Sequence, residues 1–309
     1  MATPLVFWIG FNLAIAFLIV IDLVLLARLQ RAPTLLQSIL ATLVWVLLAL
    51  GFGLWLTSQV GSKKGVEFFT GYLIEYSLSV DNLFLFALIF SNFRVEPAQQ
   101  RRILLWGIIG ALVLRGVLIG AGIALLHTFA WLIYLFGGYI LYAGVHMLFH
   151  RSDIDVEKMP VVRFARRYLP LSSAPHAGRF LVCENGRRKF TLLLLVLVVV
   201  EATDLLFALD SVPAVFGVTR DPFIVYTSNV CAILGLRSLY AVLARAVKGL
   251  VYLHLGLASI LIFIGAKMLV EDFCPISTET SLLVIGSVLT LAIVASLCKS
   301  SQSHQSRQK

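Results

Sequence analysis

Five carboxylates interrupt apolar runs of this chain. Glu75 and Asp81 lie in one run, and Glu201, Asp204 and Asp210 lie in another. On insertion scales an ionised carboxylate at the centre of a membrane helix costs about 2.5–3.5 kcal/mol, so five unpaired ones would cost about 12–17 kcal/mol. That rivals the whole stability of an ordinary domain, about 5–15 kcal/mol. Partner cations, a polar cavity or protonation must offset it. Arg115, Arg237 and Lys267 also lie inside apolar runs. Set against five carboxylates, these three leave two negative charges, which one divalent cation or two protons would balance. The competing reading is a purely structural ion-pair network. It predicts that conservative Asp→Asn changes disturb folding rather than flux.

The neighbouring donors favour a hard ion. Ser77, Ser79, Asn82, Thr203 and Ser211 supply oxygens, and neither run contains Cys, Met or His. Carboxylate, amide and hydroxyl oxygens suit Mg²⁺, Ca²⁺ and Mn²⁺, whereas thiolates and imidazoles suit softer metals. Six residues on an ideal helix place Glu75 and Asp81 about 120° apart around the axis and about 9 Å apart along it. They therefore form successive steps on a path, or the helix breaks between them. Glu201 and Asp204, three apart, share a face. Pro213 cannot donate to the carbonyl of Leu209, which predicts a kink or unwinding near Asp210. The first run has no proline, and a break there would rest on its Ser and Asn residues.

The elements that must position these groups are membrane helices. Of 309 residues, 60% are hydrophobic and 13% charged, against about 25% charged in soluble domains. Nine apolar spans are read at 5–27, 36–58, 68–92, 103–125, 129–149, 190–216, 222–244, 250–270 and 281–298. Each is long enough, or nearly so, to cross a hydrocarbon layer about 30 Å thick. The loops alternate in charge: 19 basic residues fall on one side and three, Lys63, Lys64 and Arg220, on the other. The positive-inside rule then places the N-terminus outside and the C-terminus in the cytoplasm. The net charge of +9 is thus an orienting signal, and nucleic acid is not an expected partner. Cys183, Cys231, Cys274 and Cys298 form no CxxC or Cys/His cluster, so neither a disulfide framework nor a zinc site is implied. The first apolar run lacks a basic leader and a cleavage site, and reads as a retained helix. The 150–189 segment reads as a cytosolic linker or the carrier of a surface helix at "VVRFARRYL"; the polar tail 299–309 is expected to be disordered.

An internal repeat organises the spans. "EYSLSVDNLF" from Glu75 aligns with "DLLFALDSVP" from Asp204, which matches Glu75, Asp81 and Asn82 with Asp204, Asp210 and Ser211. "ALVLRG" then aligns with "ILGLRS", pairing Arg115 with Arg237, and "AGVHML" aligns with "IGAKML", pairing His146 with Lys267. Each unit holds three spans, so the second enters the membrane from the opposite side. Inverted repeats of this build carry substrate sites near the midplane in many secondary transporters. The expected fold is all-α, a single transmembrane domain over 1–298 with inverted repeats formed by spans 3–5 (68–149) and 6–8 (190–270).

Other residues read as structural. Asp22 is expected to snorkel or to pair with Arg28. His127 sits at an interface, while His146 and Lys267 are open to a gating role. Ser228 and Asn229 line the path or bond a neighbouring helix. Gly110, Gly116, Gly120 and Gly122 read as close helix packing.

The stretches "EFFTGYLIEYSLSVDNLFLFALIFSNFRVEPAQQRRILLWGIIGALVLRGVLI" and "FALDSVPAVFGVTRDPFIVYTSNVCAILGLRSLYAVL" strongly resemble the TerC/Alx family of the LysE-like transporter superfamily. The resemblance runs from span 1 to about residue 270. The family is named for tellurite resistance, and several members look like manganese exporters. The resemblance implies that Glu75, Asp81 and Asn82, with Glu201, Asp204, Asp210 and Ser211, form a cation site. The expectation is a secondary transporter of the bacterial inner membrane that exports a divalent ion, Mn²⁺ first and Ca²⁺ as the alternative. No cofactor is implied. With no GxxxxGK[ST] motif, moving two charges outward against 100 mV, about 4.6 kcal/mol, needs another source. Proton antiport through the same carboxylates is the economical one. A membrane scaffold linked to tellurite resistance is the alternative of a different class. Enzymatic function is not expected, since no nucleophile–base pair stands out.

Overall fold

The computed structural model describes residues 4–28, 34–149, 160, 162–163, 172, 179–184, 187–246 and 252–305. Among them are nine helices long and apolar enough to cross a membrane. In chain order they are α1 (Leu5–Arg28), α2 (Leu35–Val60), α3 (Ser62–Asn92), α4 (Pro97–Thr128) and α5 (Leu132–Phe149). After a short hairpin come α6 (Leu192–Phe216), α7 (Pro222–Ala246), α8 (Leu253–Val270) and α9 (Thr278–Gln305). The nine expected spans are all present, with bounds shifted by a few residues.

Local chemistry sets several helix starts. Thr34 and Gln37 form a reciprocal capping box at α2, with hydrogen bonds of 3.2 and 2.8 Å. Asp221 Oδ1 accepts from the amide of Phe223 at 3.0 Å, and Pro222 occupies the first position of α7, where its missing N–H is no loss. Thr191 accepts from the Leu194 amide at 3.4 Å and donates to the Arg179 carbonyl at 2.6 Å, which ties α6 to the chain before it.

Lipid-facing and buried helices differ sharply. Leu5, Leu13 and Phe17 of α1 and Leu47 and Leu54 of α2 are exposed apolar side chains, as a lipid boundary requires. Helices α3 and α7 form the interior and pack extensively on each other; α4 packs on α6. The most extensive contact joins α5 to α8, and glycine is the reason. A Cβ on Gly265 would lie 2.5 Å from the Leu141 backbone nitrogen, and one on Gly144 would lie 2.8 Å from that of Ile262. Only hydrogen fits at these crossings.

Two apolar clusters fill the interior. One includes Ala111 of α4 and Val200 of α6; the other resumes at Ile119 of α4 and Ala208 of α6. The charged layer falls in the gap between them.

The structure corrects three expectations. Both α3 and α6 are continuous, so the chain unwinds neither at Asp81 nor, despite Pro213, near Asp210. The 150–189 segment contributes a two-stranded antiparallel hairpin, β1 (Leu181–Glu184) and β2 (Arg187–Phe190), paired from Leu181↔Phe190 to Glu184↔Arg187. The Asn185-Gly186 dipeptide between the strands is the sequence signal for such a hairpin. Most of "VVRFARRYL" lies outside the described residues. Finally, α9 runs on to Gln305, so the first part of the polar tail is helical rather than disordered.

Candidate functional site

Arg115 is the centre of the charged layer. It sits mid-way along α4 and is 1% exposed. One guanidinium nitrogen makes an ion pair with Glu75 Oε1 of α3. The other side of the group faces Asp204 of α6, with Nε donating to Oδ2 at 3.2 Å and Nη2 to Oδ1 at 3.0 Å. Nη1 also reaches the Ser211 hydroxyl at 3.4 Å. Asp204 is residue 13 of the 25 in α6, about 18 Å of helix from either end. The clamp is therefore buried deep in the bundle, where forked Arg–carboxylate geometry is strongest. It joins the two sequence units that the repeat aligns.

The guanidinium leaves much of the carboxylate chemistry unanswered. Glu75 Oε2, both oxygens of Glu201 and Asp210 Oδ1 are buried without a hydrogen-bond partner. Tyr139 of α5 approaches the Asp210 carboxylate. Glu201 and Asp204, placed on one face by their spacing, do line one small, partly open cavity with Gly107, Ala111 and Arg237. A Cβ on Gly110 would stand 2.5 Å from Glu201 Cδ, so the missing side chain makes room for the carboxylate. That revises the packing expectation for Gly110. Gly122 does serve close packing, since its Cβ would fall 2.7 Å from Phe216, while Gly120 has no neighbour within 4 Å.

Not every expected residue joins this centre. Asp81 lies on α3, but its side chain is outside the described residues. Asn82 is buried one position beyond. Among the described side chains Arg237 pairs with none of Glu75, Glu201, Asp204 and Asp210: it binds Asp22 of α1, and the Arg28 side chain is outside the described residues. Lys267 is buried near the end of α8, with Glu271 the nearest source of opposite charge. Ser77 and Thr203 return their hydroxyls to the carbonyls of Leu73 and Val199, four residues back. Ser79 keeps a 3.5 Å hydrogen bond to Glu75. Among the described residues no three His, Cys, Asp or Glu side chains converge as a ready metal cage.

One group was missed at the sequence level, and another was left undecided. Tyr139 reads there as one more aromatic of an apolar run. Asn229 of α7, one of two residues left open between lining the path and bonding a helix, is 1% exposed with both amide atoms unpartnered. A further polar cluster caps the opposite end of α3 from the cavity. There Lys64 bridges Glu67 at 3.1 Å and Asp221 at 2.9 Å, and Thr219 donates to Glu67 at 2.6 Å. It ties α3 to the start of α7.

These features define a multi-pass integral membrane protein with a charged layer buried at mid-helix. The chain belongs to the TerC family of integral membrane proteins, whose sequence model matches residues 60–304. It is 46% identical over 294 residues to "Uncharacterized membrane protein STKORF319" of Myxococcus xanthus, covering 95% of this chain and 92% of that one. It is 43% identical over 302 residues to "Putative membrane-bound redox modulator Alx" of Escherichia coli (strain K12), covering 94% of each. An "Uncharacterized membrane protein" of Rickettsia felis is 35% identical over 293 residues, covering 94% of this chain and 97% of that one. No solved structure matches the chain.

Proposed function

We propose that this protein is a secondary transporter that exports a divalent cation, Mn²⁺ first among the candidates, through the carboxylates of its charged layer. The observation that carries this is the imbalance at mid-helix. Of Glu75, Glu201, Asp204 and Asp210, Glu75 and Asp204 are held by the Arg115 guanidinium, while the Arg237 guanidinium is bound by Asp22. A structural network would be expected to pair its oxygens, since a buried unpaired carboxylate is expensive. Here Glu201 and one oxygen each of Glu75 and Asp210 are left for something else. All are hard oxygen donors suited to Mn²⁺, Mg²⁺ or Ca²⁺.

Glu75, Asp81, Asn82, Glu201, Asp204, Asp210 and Ser211 form the cation path. Arg115 is a built-in counter-cation that holds Glu75 and Asp204 when no ion is present and must yield them when one arrives. Protons exchange at the same oxygens, which couples export to proton entry. The inverted repeat is supported by the packing: exchanging the two units turns the α3–α7 contact into the α6–α4 contact, and both are extensive. The cavity beside Glu201 lies toward the basic loops. In the orientation set by those loops, with the N-terminus outside the bacterial inner membrane, it faces the cytoplasm, as an exporter's intake should.

Manganese content decides the matter in a manganese-sensitive, exporter-deficient bacterium. Cells expressing wild type are compared with cells expressing Asp81→Asn, Glu201→Gln or Asp210→Asn at equal membrane levels. Lowered manganese with wild type alone is the expected result. Unchanged manganese in all cells moves the reading to another ion or to a scaffold role. Lowered manganese in all cells removes these carboxylates from the path.

A further inference from the structure

The two arginines that the repeat pairs are used differently. Arg115 is drawn in between Glu75 and Asp204. Arg237 lines the same cavity as Glu201 and Asp204, yet its guanidinium is bound by Asp22. Both Glu201 oxygens in that cavity are buried and unpartnered. A guanidinium on a long, flexible stem attracts such a carboxylate, more strongly as the surroundings become less polar. Something must therefore keep Arg237 from doing in its half what Arg115 does in the other. The Asp22 carboxylate, reaching across from α1, is the group in place to do so. It comes from a helix ahead of the stretch that the family model matches.

We propose that Asp22 is a positioning residue that tethers Arg237 at the cavity wall, so that Glu201 and Asp204 stay open to an incoming cation. The tether rests on the cation-site reading for its purpose, though not for its geometry. Among the described residues, Glu201 and Asp204 are the carboxylates that line the cavity with Arg237, and they are the anions it meets once Asp22 is gone. The arginine then occupies the place of the cation.

The test uses the full-length protein in lipid nanodiscs and two readouts. The first is labelling of Glu201 by a hydrophobic carbodiimide, followed by mass spectrometry; a carboxylate held by a guanidinium reacts poorly. The second is Mn²⁺ binding followed by electron paramagnetic resonance. Asp22→Asn is expected to lower both by about tenfold, an effect of about 1.4 kcal/mol. Asp22→Asn/Arg237→Gln is expected to restore both, because the freed guanidinium is gone, and Asp22→Glu to retain both. Unlabelled Glu201 in the wild type, or unchanged labelling in Asp22→Asn, overturns the proposal. A loss that the double variant fails to recover also overturns it, since Asp22 would then act on folding. If labelling follows the expected pattern while wild type binds neither Mn²⁺ nor Ca²⁺, the tether stands and the cation reading falls.

Discussion

Arg115→Met isolates the charged layer. The substitution keeps a long side chain in α4 but strands Glu75 and Asp204, which are 0% and 5% exposed. Removing one partner of a buried pair typically costs about 3–5 kcal/mol. Membrane insertion scales give a similar range, about 5–7 kcal/mol for two carboxylates. A loss of about 5 kcal/mol corresponds to a fall in Tm of roughly 10 °C or more for a chain of this size. Thermal unfolding of the detergent-purified protein, followed by tryptophan fluorescence, measures it. The neutral triple variant Glu75→Gln/Arg115→Met/Asp204→Asn should recover most of the loss, because no uncompensated charge remains. Mn²⁺ at a hundredfold above its Kd should return about 2.7 kcal/mol to the single variant and nothing to the triple. A single variant within about 2 °C of wild type, or a triple no more stable than the single, would refute the electrostatic account of this layer.

Three further outcomes are expected. Gly110→Ala should displace Glu201 and weaken Mn²⁺ binding, with overpacking of about 1–3 kcal/mol; unchanged binding by the variant would show that Glu201 does not need that space. Gly265→Ala should lower Tm, since its Cβ meets the Leu141 backbone, whereas Gly120→Ala should raise stability by about 0.5–1 kcal/mol, having no neighbour to strike; equal shifts in the two would count against the packing account of α5 and α8. If protons and metal share one set of oxygens, Mn²⁺ affinity should fall as pH is lowered, by up to about tenfold per pH unit for each proton displaced, and a flat profile in titration calorimetry would dismiss antiport through these groups.

The membrane class and the span count were legible in the sequence because they follow from composition and run length. Lipid leaves the backbone no solvent, so a run of about 20 apolar residues becomes a helix whatever its neighbours are. The carboxylates were legible for the same reason: charge inside an apolar run stands out as an expense. The i,i+3 spacing of Glu201 and Asp204 placed them in one cavity, since that depends only on helix geometry.

Partnership was decided by the fold. Nothing local tells Arg237 from Arg115, which the alignment of "ALVLRG" with "ILGLRS" matches. One meets Glu75 and Asp204 and the other meets Asp22, because α1 packs where it can reach α7. The expected unwinding at Pro213 failed similarly: a single lost hydrogen bond is a local cost, and the packing of Val212, Ala214, Val215 and Phe216 into the apolar core keeps the chain helical through it. Residue type and helical period are properties of the chain alone. Which charges neutralise each other depends on which helices become neighbours, and only the tertiary structure sets that.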